Sequence, residues 1–553
     1  MSNWEELVLT AQKHRDATIS ILDPPLPDLP VTANLPKNLT SIPRSVLSPV
    51  EIGITETPID ELLAALATGR LSSVTVTRAF LRRAGVAQSL VNCVFELAPQ
   101  EALTRAKELD DFSEEHQKTV GPLHGLPVSV KALISWKGLR TTEGLVAALA
   151  NTATNDAPIL ALVRSLGAVP FVRTTEPQGV MMLETLSPIH GSTLNPHNTS
   201  LTPGGSSGGE GALLALLASQ LGLGTDIGGS VRSPAANCGI YTLKPSAFRL
   251  PLAGIHVFFS GCEMVPATVG PMSPSRKGIA IFMESVLGTR PWERDPSLLP
   301  IPWQKLEDPF EPKLNIGVMW DDGVVKPSKA MSRALTEVVK KLEGNPRFRI
   351  ERWEPFKHKE AVGILVSRLL FVEKLYSPDG GQAFTKALAK SGEPMHELTD
   401  YRLVSGPGVE SLSLQSYWDW TMARNIFRAN YLQEWLEKAP QMDVILCPPH
   451  PGAAPPIGTT KYWGYTSVWN LLDYPAAVFP VTRVDADLDS EDSDYNSRSE
   501  VDDWTHSHFD AQNQAGAPVC LQLVGKRIED EKVVQAMDEI CEAAGLPFID
   551  CLR

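Results

Sequence analysis

Cysteine is sparse in this chain of 553 residues: Cys93, Cys238, Cys262, Cys447, Cys520, Cys541 and Cys551 are scattered, and no two form a CxxC pair. An odd, dispersed set argues against both a disulfide framework and a zinc site. Long apolar runs are missing too. No stretch of about 18 or more apolar residues occurs, so no spanning helix is expected. The opening segment MSNWEELVLTAQKHRD is charged where a signal peptide would be apolar. An excess of positive charge is also lacking: 50 Lys+Arg face 64 Asp+Glu, a net −14. Such a surface repels phosphate backbones, which disfavours a nucleic-acid partner. What remains, 43% hydrophobic and 21% charged residues, is globular composition. The expectation is a cytoplasmic protein without membrane or nucleic-acid contact.

Residues 3–20 read as a helix, followed by the proline-rich stretch ILDPPLPDLPVTANLPKNLTSIP, expected to run extended over a surface because proline fixes φ and lacks an N–H. Thr57-Pro58-Ile59-Asp60 reads as a helix start with Thr57 as N-cap, and Gly69 closes that helix. A second helix is expected over 73–84. From residue 120 onward, strand-like runs (126–131, 169–173) alternate with helical ones (157–166), which favours an α/β fold. The domain expectation is an N-terminal helix and arm over 1–57, then one domain over 58–553. Within it, residues 484–515 read as an acidic surface insertion. Between Val484 and Asp503, nine acids stand against Arg498, a net −8. The DxDxDG pattern of a calcium loop is absent, so a solvated loop is expected, with His506 and His508 exposed on it.

The informative window is NPHNTSLTPGGSSGGEGALLALLASQLGLGTDIGGSVRSPAANCGIYTLKP, residues 195–245. It lacks the Lys of a P-loop and the third glycine of a dinucleotide fingerprint. Gly204 to Gly208 formally satisfies G-x-S-x-G, but the preceding residues are loop chemistry rather than the strand a nucleophile elbow requires. A serine is a poor nucleophile without a base to take its proton, and His197 stands alone here. A lysine made neutral by desolvation can be that base. Lys131, which closes the apolar run Leu126-Pro-Val-Ser-Val, fits that description.

Three segments, Gly204-Gly-Ser-Ser-Gly-Gly209, Gly224-Thr-Asp-Ile-Gly-Gly-Ser230 and Cys238-Gly-Ile-Tyr-Thr-Leu-Lys-Pro245, together with Gly125-Leu-Pro-Val-Ser-Val-Lys131, resemble the amidase signature family. Asn195-Pro196, Val269-Gly-Pro-Met-Ser273, Pro518-Val-Cys-Leu-Gln-Leu-Val-Gly525 and Glu529-Asp-Glu531 extend the match. Tyr465-Thr-Ser-Val-Trp-Asn-Leu-Leu-Asp-Tyr-Pro475 resembles the fungal acetamidase and general amidase branch. The resemblance spans roughly residues 58 to 550. It implies a large mixed central β-sheet with helices on both faces. It further implies Ser230 as nucleophile, Ser206 after a cis peptide bond as proton relay, and Lys131 as base. Backbone N–H groups of Ile227, Gly228, Gly229 and Ser230 would form the oxyanion hole, with Val180, Thr225 and Asp226 also beside substrate. No metal or cofactor is implied. Asp226 and Arg232 flank Ser230 and are expected to form a buried pair that fixes its loop.

Ala132, Glu143 within Thr141-Thr-Glu-Gly144, and Thr175 depart from the family pattern. The activity implied is hydrolysis of small or medium carboxamides through an acyl-enzyme. Alternatives are an amidase or esterase of a biosynthetic route, or a non-catalytic assembly subunit. A homodimer is the default oligomer. Pocket walls are expected from residues 180–182, 255–265, 318–325 and 370–420, with Leu369, Leu370, Phe371, Trp418 and Trp420 as candidate apolar lining.

Overall fold

The computed structural model describes residues 3–29, 35–363, 375–406, 408–490 and 495–552. Its strands are β1 (Val94–Leu97), β2 (Pro127–Lys131), β3 (Val169–Thr174), β4 (Leu186–Ser187), β5 (Gly191–Ser192), β6 (Gly222–Asp226), β7 (Tyr241–Lys244), β8 (Thr268–Ser273), β9 (Leu314–Val318), β10 (Phe348–Arg352), β11 (Val444–Cys447), β12 (Ala476–Arg483) and β13 (Pro518–Val524). Eleven of them form one mixed sheet in the order β1-β3-β2-β6-β8-β7-β12-β13-β11-β9-β10; β4 and β5 pair apart. The expected mixed central sheet is therefore what forms.

The interior strands are buried on both faces, so they read as near-continuous apolar runs rather than alternating ones. VPFVRT in β3 and PVCLQLV in β13 are buried throughout. Pro480 sits inside β12, where it cannot donate to the ladder, and the register with β13 shifts between Pro480 and Thr482. β3, β2 and β6 run parallel to one another, so their C-terminal ends emerge on one edge of the sheet.

Helices cover the sheet for identifiable local reasons. The helix Ser73–Val91 starts where the Ser72 side chain accepts from Thr75 N–H and Asp110 accepts from Ser73 and Val74 N–H. It runs past the expected end at residue 84 because Val86, Ala87, Leu90 and Val91 stay in the core. Leu22 and Leu26 of the proline-rich arm pack over Gly85 of this helix, where a Cβ would meet Leu26 at 2.8 Å. Thr57 is not the expected N-cap. Two further helices, Ile42–Val46 and Pro49–Thr55, precede it, and its hydroxyl donates back to Gly53 O at 2.6 Å, so Pro58 occupies the cap position.

The acidic segment is less solvated than expected. Asp489 is fully buried and pairs with Arg333 at 2.8 Å. Asp502 is also buried; it accepts from Lys326 N–H and Arg498 N–H inside the helix Glu500–Ser507. Carboxylates with donors waiting for them need not remain in water. His506 stacks on Tyr495 rather than lying free, and Glu491, Asp492 and Asp494 lie outside the described residues. All seven cysteines are unpaired. Among the described residues no helix is long and apolar enough to cross a membrane.

Candidate active site

The parallel edge gathers the residues that the sequence singled out. Lys131 ends β2, Thr225 and Asp226 end β6, and the turn after β6 carries Ser230 into the helix Arg232–Cys238. Lys131 is buried, and its Nζ donates to Ser206 Oγ at 2.6 Å and to Thr225 Oγ1 at 3.1 Å.

Ser206 follows a cis Gly205–Ser206 peptide bond and precedes the helix Gly208–Ala215. No strand leads into it, so the nucleophile-elbow pattern is formal only. Gly205 admits no side chain: a Cβ there would stand 2.2 Å from Glu184 O and 2.5 Å from Glu184 N. The two serine segments are tied by Ser207 N–H, which donates to Ser230 O at 3.0 Å.

Asp226 organises the loop to Ser230. Its carboxylate accepts from Gly229 N–H at 2.9 Å and Val231 N–H at 3.1 Å. The Arg232 guanidinium engages both of its oxygens, and Asn470 Nδ2 adds a further bond at 2.9 Å. Both members of the Asp226–Arg232 pair are fully buried. Burial opposes this charge, but Arg232 and the converging donors win and hold Asp226 down at about 2. With Gly229 N–H committed to Asp226, the N–H groups of Ile227, Gly228 and Ser230 are the ones in this turn without a protein acceptor among the described residues. Of the expected oxyanion donors, Gly229 is thus engaged elsewhere.

Desolvation pushes the Lys131 amine down to about 8, against the pull of nearby Glu176, Asp226 and Glu210. Glu176 and Glu210 were not anticipated as part of this environment. Burial raises Glu210 to about 7; it accepts from Ser129 Oγ at 2.6 Å and Thr174 Oγ1 at 2.8 Å. Burial likewise raises Glu176 to about 8, and Leu133 N–H is its donor. The available signal was the acid in the first turn of an otherwise fully apolar helix, since a buried carboxyl there must have a local purpose.

A cavity of about 320 Å³ opens over Ser206 and Ser230, with Val180, Thr225, Asp226 and Ile227 in its wall. Apolar side chains line much of it, namely Phe248, Leu250, Leu252, Ile255, Phe259 and Leu298, with Ser260, Glu263 and Ser297 among them. The expected segment 255–265 contributes, as do Val180 and Met181, whereas 318–325 does not. Trp418 is exposed and Trp420 packs against the apolar cluster that includes Tyr431, Trp435 and Trp469, and neither is among the residues that line the cavity. Leu369, Leu370 and Phe371 lie outside the described residues. Two of the three departures have side-chain contacts of their own: Thr175 Oγ1 donates to Cys93 O at 3.2 Å and lies 2.7 Å from Thr193 Oγ1. Glu143 Oε2 accepts from Phe258 N–H at 2.7 Å within the cavity-wall segment, whereas Ala132 engages Arg173 only through its backbone carbonyl.

Comparison with known proteins follows the geometry. The amidase family model matches residues 75–534. The chain is 36% identical over 510 residues to an acetamidase of Aspergillus oryzae, covering 90% of this chain and 92% of that protein. It is 34% identical to an acetamidase of Emericella nidulans over 557 aligned residues, 98% of each chain. A solved fatty acid amide hydrolase superposes with TM-score 0.91 at 33% identity, covering 98% of this chain and 95% of that one.

Proposed function

This chain belongs to the amidase signature family and hydrolyses amide C–N bonds, and we propose that Ser230, Ser206 and Lys131 carry out that chemistry on amides of medium-sized apolar acids. Neutral Lys131 takes the Ser206 proton, Ser206 takes that of Ser230, and Ser230 attacks the amide carbonyl. The relay reversed protonates the departing nitrogen, and water then hydrolyses the acyl-enzyme with the same base. Negative charge developing on the carbonyl oxygen falls to the N–H groups of Ile227, Gly228 and Ser230. The observation that carries this reading is the 2.6 Å contact between a fully buried, pKa-lowered lysine and a serine that shares one cavity with Ser230.

The acyl preference rests on the cavity wall. Phe248, Leu250, Leu252, Ile255 and Phe259 offer an acyl chain apolar surface that acetamide is too small to use. A cytoplasmic setting belongs to the same reading, supported by seven unpaired cysteines, and so does a homodimer, the commonest closed oligomer.

Ammonia release from acetamide, longer aliphatic amides, benzamide and indole acetamide is the test, beside Ser230→Ala. Turnover that rises with apolar acyl size and vanishes in the variant is expected. Activity that survives Ser230→Ala, or a serine-reactive phosphonate that labels another residue, would overturn the assignment. A preference for acetamide would overturn the acyl class alone.

A further inference from the structure

The turn from Asp226 to Ser230 has two sides. Ile227 and Ser230 face the cavity. The opposite side is packed by Trp463, Thr466 and Tyr376: a Cβ on Gly228 would meet Trp463 and the Tyr376 hydroxyl, each at 2.9 Å, and one on Gly229 would meet Thr466 Oγ1 at 2.4 Å. Two hydroxyls on that outer side donate to backbone carbonyls of the turn. Tyr376 Oη donates to Ile227 O at 2.7 Å, and Thr466 Oγ1 donates to Gly228 O at 2.7 Å. Neither hydroxyl reaches into the cavity.

In a trans peptide the C=O and N–H point in opposite directions, and neither of these peptides is cis. Drawing Ile227 O outward to Tyr376 therefore turns Gly228 N–H inward, toward the side where Ser230 lies. Drawing Gly228 O to Thr466 likewise sets the next plane, whose Gly229 N–H lands on Asp226. The turn contains two consecutive glycines, so little in its own backbone would hold these planes. Tyr376 in turn sits against Trp463, ring centroids 6.1 Å apart, and the helix Gly464–Leu472 that carries Thr466 and Asn470 is buried throughout.

We propose that Tyr376 and Thr466 are positioning residues of the oxyanion turn: their hydroxyls fix the two peptide planes so that Gly228 N–H is aimed at the charge that develops during acylation. The inference deepens the proposed mechanism and rests on it. Both residues act through the backbone and touch neither substrate nor the reacting atoms. An aimed donor lowers the barrier because it needs no reorientation when charge appears, whereas a floating one must first be ordered.

The test is Tyr376→Phe, which keeps the ring on Trp463 and removes only the hydroxyl, with Thr466→Val and the conservative Thr466→Ser. Each is assayed on the best amide of the panel and with a trifluoromethyl ketone carrying the same acyl group, whose adduct with a serine bears an oxyanion. Expected for Tyr376→Phe and Thr466→Val is a fall in kcat of about ten-fold or more with KM within about two-fold. Ketone affinity should fall in parallel, binding of the unreactive free acid should hold, and Thr466→Ser should restore kcat. Unchanged kcat, or equal losses for the ketone and the free acid, would overturn the proposal. So would a melting temperature lowered enough to account for the loss in both hydroxyl-deleting variants. Wild-type turnover that is lost in Ser230→Ala keeps the underlying mechanism standing whichever way these variants fall.

Discussion

Lys131 can accept a proton only when neutral, and water would keep its amine charged at pH 7. Desolvation at the end of β2 brings its pKa down to about 8, so an appreciable neutral fraction exists near neutrality. Because the base must be unprotonated in the free enzyme, kcat/KM should rise with pH and level off above a midpoint near 8. A pH–rate profile that is flat from 6 to 9 would remove Lys131 from that role. Lys131→Met should cost about 10²- to 10⁴-fold in kcat. The Asp226–Arg232 pair makes a different demand, on stability. Asp226→Asn leaves a buried guanidinium without its counter-charge, a loss of about 3–5 kcal/mol by urea unfolding. Removing both charges together, in Asp226→Asn/Arg232→Met, should recover part of that loss, because the orphaned charge is gone. A double variant no more stable than the single one would show that the hydrogen bonds of Asp226 to Gly229 and Val231 dominate.

Elements meet at the site through backbone contact as much as through side chains. Glu184 lies against Gly205 so closely that an added methyl group would collide with its carbonyl oxygen and amide nitrogen, atoms that cannot swing aside. Gly205→Ala is accordingly expected to cost about 3 kcal/mol, overpacking that a flexible side chain could have relieved. Thermal unfolding checks this, and a variant as stable as wild type would mean that the 183–185 segment moves freely. The same packing explains what could be read in the sequence. Lys131 stood out because an apolar strand ending in a cation is a local pattern, and the serines because their glycines are contiguous. Of the sheet strands, β2 and β3 announced themselves as apolar runs. By contrast, Phe248, Leu250, Phe259 and Leu298 sit on irregular segments whose side chains converge only after the sheet has formed, so no periodicity marks them. Asp489 looked like one solvated acid among nine because its partner Arg333 is 156 residues away. Thr57 was misplaced for a related reason: the helix before it, Pro49–Thr55, begins with a Ser48–Glu51 capping box just beyond the proline-rich stretch, so the helical segment starts earlier than expected.

At the scale of the whole molecule, buried ionisable groups make stability depend on pH in two opposed ways. Burial lowers His190, His197 and His450 to about 4 and His358 to about 3, from an ordinary 6.5. The folded protein thus binds fewer protons at these sites than the unfolded chain, so their contribution is present above pH 6.5 and is lost as pH falls toward 4. Burial raises Glu143 and Glu210 to about 7 and Glu176 to about 8, from an ordinary 4.5. Here the folded protein binds more protons, so the contribution is full below pH 4.5 and is lost as pH rises through 7 and 8. Between pH 4.5 and 6.5 the two sets oppose each other, but above 6.5 the histidines are neutral in both states and the carboxyls titrate first, opposed only toward pH 8 by the two buried lysines Lys131 and Lys244, which burial lowers to about 8 from an ordinary 10.5. Unfolding free energy from urea titrations should therefore fall as pH rises from 6.5 to 8. Glu143 supplies the most testable part of that slope, since its carboxyl meets Phe258 N–H at the cavity wall, away from Lys131. Glu143→Gln keeps an acceptor for that N–H and cannot ionise, so the fall with pH should be shallower in the variant. A wild-type stability that is level or rising over this interval would show that these carboxyls are already ionised in the folded protein. Glu176 and Glu210 would then stand as full anions near Lys131, a pull that raises its amine back toward the ordinary value.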